Sequence, residues 1–223
     1  MRIEHQTLTD RIHLLTFDTQ QEITSTLLRF QEYYESPEFR GKVFSLEEYK
    51  QWYTQNSVKG RKTGEFTYYT DWNGFNIPSF ILKPFQEGEF NPLSEKEKRI
   101  LKLFNGKPEP FYVIGVHRAS KNLGLSLKHE LAHGLFYTDG DYQNEALAVL
   151  SQFDTEQIKS EIKSKGYHEH VLDDECHAYG IACGSKLKTP IPKELSRSLR
   201  EIYNKYLKIK GVQISQGIVI NNF

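Results

Sequence analysis

The chain has 223 residues, 29 basic and 29 acidic side chains, and a composition that is 38% hydrophobic and 13% aromatic. That length suits one domain, residues 1–223, with a core of useful size, and the balanced charge makes no electrostatic case for nucleic acid or an anionic membrane as partner. The opening stretch MRIEHQTLTDRIHLLTF lacks the apolar run of a signal peptide, and no later segment approaches the roughly 20 apolar residues of a membrane span. The expectation is a soluble, cytoplasmic protein.

In chain order, three helices are announced by capping boxes, in which a Ser or Thr hydroxyl covers a free backbone N–H and a Glu three residues on reaches back. These are Thr19 with Glu22, Ser45 with Glu48 and Ser94 with Glu97, predicting helices over about 20–35, 46–54 and 95–104. Between the last two, EFTYYTDWNGFNIPSFILKPF is rich in aromatic and β-branched residues, and its Asn73-Gly74 pair suits a tight turn, so a β-hairpin is predicted there. The run FYVIGV, Phe111 to Val116, has the propensity and length of a buried strand. The chain then turns helical, over about 125–138, 142–153, 155–165, 171–186 and 193–209, with Gly166 and Gly211 as stops. The tail GVQISQGIVINNF is apolar enough to pack, as a strand. Strands first and helices second read as α+β. Cys176 and Cys183 fall seven apart in one predicted helix, about 10 Å by helical rise and too far for a disulfide.

One segment carries chemistry. In SLKHELAHGLF, His129 and His133 stand four apart, so a helix projects both from one face and offers two imidazoles to one tetrahedral zinc. Glu130 sits beside them, where it can reach a water on the metal without displacing it. The bland alternative is a helix that happens to carry two histidines. Its surroundings count against that: Leu127, Leu131 and Leu135 form an apolar stripe beside Ala132, and unpaired polar groups inside such a helix cost about 1 to 3 kcal/mol each.

The strand Phe111 to Val116 followed by a helix bearing His129, Glu130 and His133 resembles the zincin superfamily of metallopeptidases over roughly residues 111–183. The resemblance implies a zinc-dependent hydrolase acting on peptides or proteins, His129 and His133 as ligands, Glu130 as general base, and the strand as an edge able to pair with an extended substrate. Residues 1–110 carry no such resemblance. A catalytic zinc takes a third protein ligand, for which three residues compete. Asp139 has the metzincin spacing, but Phe136 stands where that pattern needs glycine. Glu145 lies one turn into the next helix. Glu175, in VLDDECHAYGIAC, shares a face with Ala178, Tyr179 and Ala182, and the two alanines allow close approach to another helix; this looks like the glutamate helix of gluzincins and is preferred. The gluzincin pattern that would supply an orienting aspartate is absent. Tyr179 is a candidate hydrogen-bond donor to the oxyanion. His168, His170 and His177 could form a second metal cluster or a solvated loop, His117 reads as a loop residue, and Asp71-Trp72-Asn73-Gly74 as a substrate loop or a plain turn. The competing functional class is a zincin-like module that binds metal without turnover.

Overall fold

The computed structural model describes residues 2–215 and 218–221. It is an α+β fold around a four-stranded sheet in the order β1-β2-β4-β3. The strands are β1 (Ile3–Thr7), β2 (Ile12–Phe17), β3 (Gly74–Pro78) and β4 (Tyr112–His117); β2 and β4 run parallel, and the outer pairs are antiparallel. The helices are α1 (Gln20–Glu35), α2 (Leu46–Asn56), α3 (Val58–Thr63), α4 (Lys83–Gln86), α5 (Glu95–Phe104), α6 (Leu123–Thr138), α7 (Gly140–Leu150), α8 (Glu156–Ser164), α9 (Leu172–Ile181) and α10 (Lys193–Ile209). No helix among the described residues is long and apolar enough to cross a membrane.

The two-residue alternation of a strand divides the core in two. Ile12 and Leu14 of β2 with Tyr112 and Ile114 of β4 face α6, α7, α9 and α10. Leu15, Phe17 and Val113 face the opposite way, into an aromatic-rich core with Phe30, Tyr49, Phe85, Phe90 and Phe104. Buried on both faces, β4 has no polar alternation, which is why FYVIGV reads as a continuous apolar run.

All three capping boxes form with both reciprocal bonds, and they start α1, α2 and α5. Elsewhere the structure departs from expectation. The predicted hairpin over 65–85 is one strand, β3, between two short 3-10 turns, and its partner is β4. Within this sheet β1 and β2 form a hairpin, and their mixed polar and apolar residues gave weaker alternation. Nor is β4 an edge, because β2 and β3 flank it; the edge on the α6 side of the sheet is β3. The helix predicted over 171–186 stops at Ile181, since Cys183 takes φ 66° in the left-handed region and breaks the run. The two cysteines therefore do not share a helix, although both are free thiols and buried. The tail forms a two-stranded ribbon, β5 (Val212–Ser215) with β6 (Ile218–Asn221); the remainder of the strand predicted there, residues 216–217 and 222–223, lies outside the described residues.

Candidate metal centre

Helix α6 crosses the inner face of the sheet beside β3 and β4, and α9 packs directly against α6. Close contact is permitted at Gly134, where an added Cβ would stand 3.2 Å from Ile12 and 3.3 Å from Tyr112, and at Ala178, which is wholly buried. The acidic run Asp173-Asp174-Glu175 opens α9, where the positive end of the helix dipole favours carboxylates. Packing then carries Glu175 onto the histidine face of α6.

His129, His133 and Glu175 each offer a ligand atom, and these atoms lie within 4.8 Å of one another. The two Nε2 atoms are 3.3 Å apart. Two nitrogens about 2.05 Å from a tetrahedral zinc would also be about 3.3 Å apart, so the spacing fits a shared ion. Glu175 Oε1 is 3.5 Å from His133 Nε2, and its Oε2 is 3.7 Å from His129 Nε2. Glu175 is 2% exposed, and its Oε2 has no hydrogen-bond partner. A buried carboxylate oxygen left unpaired beside two converging imidazole nitrogens is a donor set that suits zinc.

The imidazoles differ in their surroundings. Burial first, then the neighbouring charges of His133 and Lys186, push the pKa of His129 well below its ordinary value, leaving a neutral ring with a lone pair to give. Burial opposes charge on His133 too, but the carboxylates of Asp174 and Glu175 outweigh it and raise its pKa strongly. Asp174 Oδ1 stands 2.9 Å from His133 Nδ1 and 3.5 Å from His177 Nδ1. His177 Nε2 in turn is 2.6 Å from the Tyr142 hydroxyl. Asp174 thus faces the ring nitrogen of His133 that points away from Glu175, the position from which a carboxylate orients a metal-binding imidazole.

Glu130 is 7% exposed. Burial raises its pKa, with His133 and Asn76 acting in the other direction. Its Oε2 accepts from the Asn76 side-chain amide at 3.2 Å, and Asn76 Oδ1 accepts from the Tyr112 hydroxyl at 2.8 Å. Gly74 matters here because an added Cβ would stand 2.5 Å from Glu130 Oε1. The missing side chain makes room for the carboxylate. Tyr179, also on α9, sets its ring edge-on to His129 at 4.8 Å between centroids, and its hydroxyl interacts with that of Tyr167.

The other candidates lie elsewhere. Asp139 caps α7 by accepting from the Tyr142 N–H at 3.0 Å and pairs with Lys210 at 2.8 Å. Glu145 is engaged by Lys205 at 2.7 Å and the Tyr206 hydroxyl at 2.9 Å. His168 and His170 stack on each other at 4.8 Å with both side chains near solvent, while His177 points into the core towards Tyr142, so the three do not converge. His117 is not a loop residue; it ends β4, buried, with Nε2 3.0 Å from Asn73 Oδ1. Asp71 anchors the turn before β3 by accepting from Tyr53, Thr67 and Lys59. Sequence reasoning missed Asn76 and Asp174, and it read Gly74 as part of a turn or substrate loop without its place beside Glu130. Asp174 had a visible signal, an acid directly before the chosen glutamate; the other two depend on β3 being the strand that flanks α6. Comparison with family models, with curated proteins and with solved structures returns no match for this chain.

Proposed function

We propose that the protein is a zinc-dependent hydrolase acting on peptide bonds, with His129, His133 and Glu175 holding the metal. The observation that carries this reading is the convergence of three ligand atoms within 4.8 Å, two of them on the helix that also presents Glu130. A zinc ion bound there would supply Lewis acidity, polarising a carbonyl and bringing the pKa of water towards about 7. The residues of the chain do the rest. Glu130, its pKa raised by burial, is suited to take a proton and return it to the leaving amine. Asn76 holds that carboxylate in place. Tyr179 stands on the same helix face as Glu175 and is the candidate donor to the oxygen that gains charge. The buried pair His133 and Asp174 keeps one imidazole in a fixed orientation.

The purified protein should contain one zinc per chain by elemental analysis, and cleave members of a mixed peptide library. A chelator should stop that cleavage and added zinc restore it. Glu130→Gln should keep zinc and lower kcat by about 10²-fold or more, since only the proton carrier is lost. Undiminished turnover by that variant would remove Glu130 from the mechanism, and a zinc-loaded protein that cleaves nothing in the library would leave a metal-binding module without catalysis.

A further inference from the structure

Behind the carboxylate that faces His133 stand two buried polar side chains that the hydrolytic scheme leaves unused. His177 follows Asp174 by one turn of α9, and Tyr142 lies in the first turn of α7. Both are 0% exposed. The His177 ring packs 5.1 Å from the ring of Phe136 on α6 and edge-on to Tyr142 at 5.4 Å. Packing alone does not call for an imidazole here, because apolar groups of the same shape replace a buried hydrogen-bonded pair at little cost to the fold. A phenol and an imidazole kept together in this core therefore serve something beyond filling it, and the charged group they adjoin is Asp174.

The distances fix where the ring protons lie. Asp174 Oδ1 faces His133 Nδ1 at 2.9 Å and His177 Nδ1 at 3.5 Å. A carboxylate accepts, so a bare nitrogen in either place would set lone pair against lone pair. Both Nδ1 atoms therefore carry hydrogen. At 3.5 Å the contact to His177 is an electrostatic pull more than a full hydrogen bond. With its proton on Nδ1, His177 has a bare Nε2, and the Tyr142 hydroxyl donates to it at 2.6 Å. His133 likewise has a bare Nε2, on the side of His129 and Glu175. Tyr142 is a firm anchor: its N–H bonds Asp139 Oδ1 at 3.0 Å, and its ring stands 5.2 Å from that of Tyr206 on α10. Asp174, by contrast, has a side chain 15% exposed in the first turn of α9. Without an N–H behind it, that carboxylate is free to turn to solvent.

We propose that Tyr142 and His177 are positioning residues of the metal centre: the Tyr142 hydroxyl fixes the His177 ring with Nδ1–H towards Asp174, and that N–H keeps the Asp174 carboxylate turned onto His133, so that His133 presents Nε2 to the ion. The proposal rests on zinc being held by His133, as read above, and makes no use of turnover. It ties the orientation of one ligand to α7, a helix that carries none of the ligands itself.

Zinc affinity of the full chain would be measured by competition with a coloured chelator. Outer partners of a metal ligand are worth about 10- to 100-fold in affinity, and a group one step further out should fall at or below the lower end, so Tyr142→Phe should weaken zinc by about three- to tenfold. The same substitution would then be made in Asp174→Asn protein. A residue that acts through Asp174 has nothing left to position there, so its effect should shrink below about twofold. A loss of equal size in both backgrounds would make Tyr142 structural only and overturn the proposal, as would zinc binding indifferent to Tyr142→Phe in the unmodified background. A second pair of variants decides the matter should Tyr142→Phe fail to fold. Asn and Leu have nearly the same shape, but His177→Asn keeps an N–H where Nδ1 stood. It should bind zinc about fivefold or more tightly than His177→Leu, and equal affinities overturn the proposal. Nitrogen NMR of ring-labelled histidine in the zinc-loaded protein reads the tautomer directly, with the His177 signals assigned by their loss in His177→Asn. A protonated Nδ1 and a bare Nε2 are expected on His177, and a bare Nδ1 overturns the proposal. Zinc bound with this dependence but without any peptide cleavage would refute the hydrolase and leave the positioning role standing.

Discussion

Asp174 and Glu175 are adjacent acids with different surroundings. Glu175 is buried with one oxygen unpaired, and burial drives its pKa far up. Burial pushes Asp174 the same way, yet His133 and His177 more than compensate and hold its carboxyl down at about 2. Asp174 is therefore held ionised by the imidazoles it faces, placed to fix the ring of His133. Asp174→Asn keeps the size and removes the charge, and it should weaken zinc binding by about 10- to 100-fold. Competition with a coloured chelator measures this, and unchanged affinity would show that Asp174 does not orient the ligand. The fold should survive, since Asp174 lies in the first turn of α9 and not in its packed centre.

At the scale of elements, the site depends on how α9 is held, and part of that hold is electrostatic. The segment between α9 and α10 is tied back to α8 by Glu161, which accepts from the backbone N–H groups of Lys188 at 2.8 Å and Thr189 at 2.7 Å. Those bonds favour the ionised form and lower its pKa from 4.5 to about 2. A folded-state pKa below the unfolded value stabilises the fold above about 4.5, and that stabilisation fades as pH falls through about 2. Glu161→Gln should thus lower stability at neutral pH and converge with the unmodified protein as pH approaches 2. Urea unfolding at a series of pH values measures this; a gap that stays constant with pH would assign the loss to packing. Strand β3 contributes differently, since it brings Asn76 and the bare backbone of Gly74 to Glu130 while Phe75 and Ile77 anchor it in the opposite core.

For the whole molecule, two cores meet at one sheet, and an internal ion pair locks the outer one. Arg29 of α1 reaches Glu97 of α5 through two bonds of 2.7 Å and also donates to the Phe90 carbonyl at 3.1 Å. Arg29 is 8% exposed and Glu97 4%. Removing one partner of such a pair leaves the other charge buried, so Arg29→Ala should cost about 3 to 5 kcal/mol of unfolding free energy. Since Glu97 also completes the capping box of Ser94, part of that loss should reach α5. Denaturant unfolding measures the cost, and a loss below about 1 kcal/mol would mean that Glu97 finds water or another partner. Because α1 also carries Gln31, which accepts from the Asn76 backbone N–H at 3.2 Å, this pair fixes the helix that lies against β3.

What the sequence determined by itself was local. Capping boxes act over three residues and the two histidines over four, so both can be read along one helix before anything packs. The alanine spacing beyond Glu175 announced a face fit for close helix packing, and the structure places that glutamate beside both imidazoles while engaging Glu145 with Lys205. Strand pairing depends on partners far apart in the chain, and there the reading failed: residues 65–85 looked self-sufficient as a hairpin, whereas β3 found its partner 34 to 42 positions along in β4. The same long-range choice made β3 the edge, brought Asn76 54 positions onto Glu130, and set Gln31 of α1 against the Asn76 backbone. Cys183 ended α9 by a positive φ that no local residue preference announces. Only the tertiary structure decided these, because a register, a sheet edge and the burial of a charge are properties of surfaces brought together and have no value in an isolated segment.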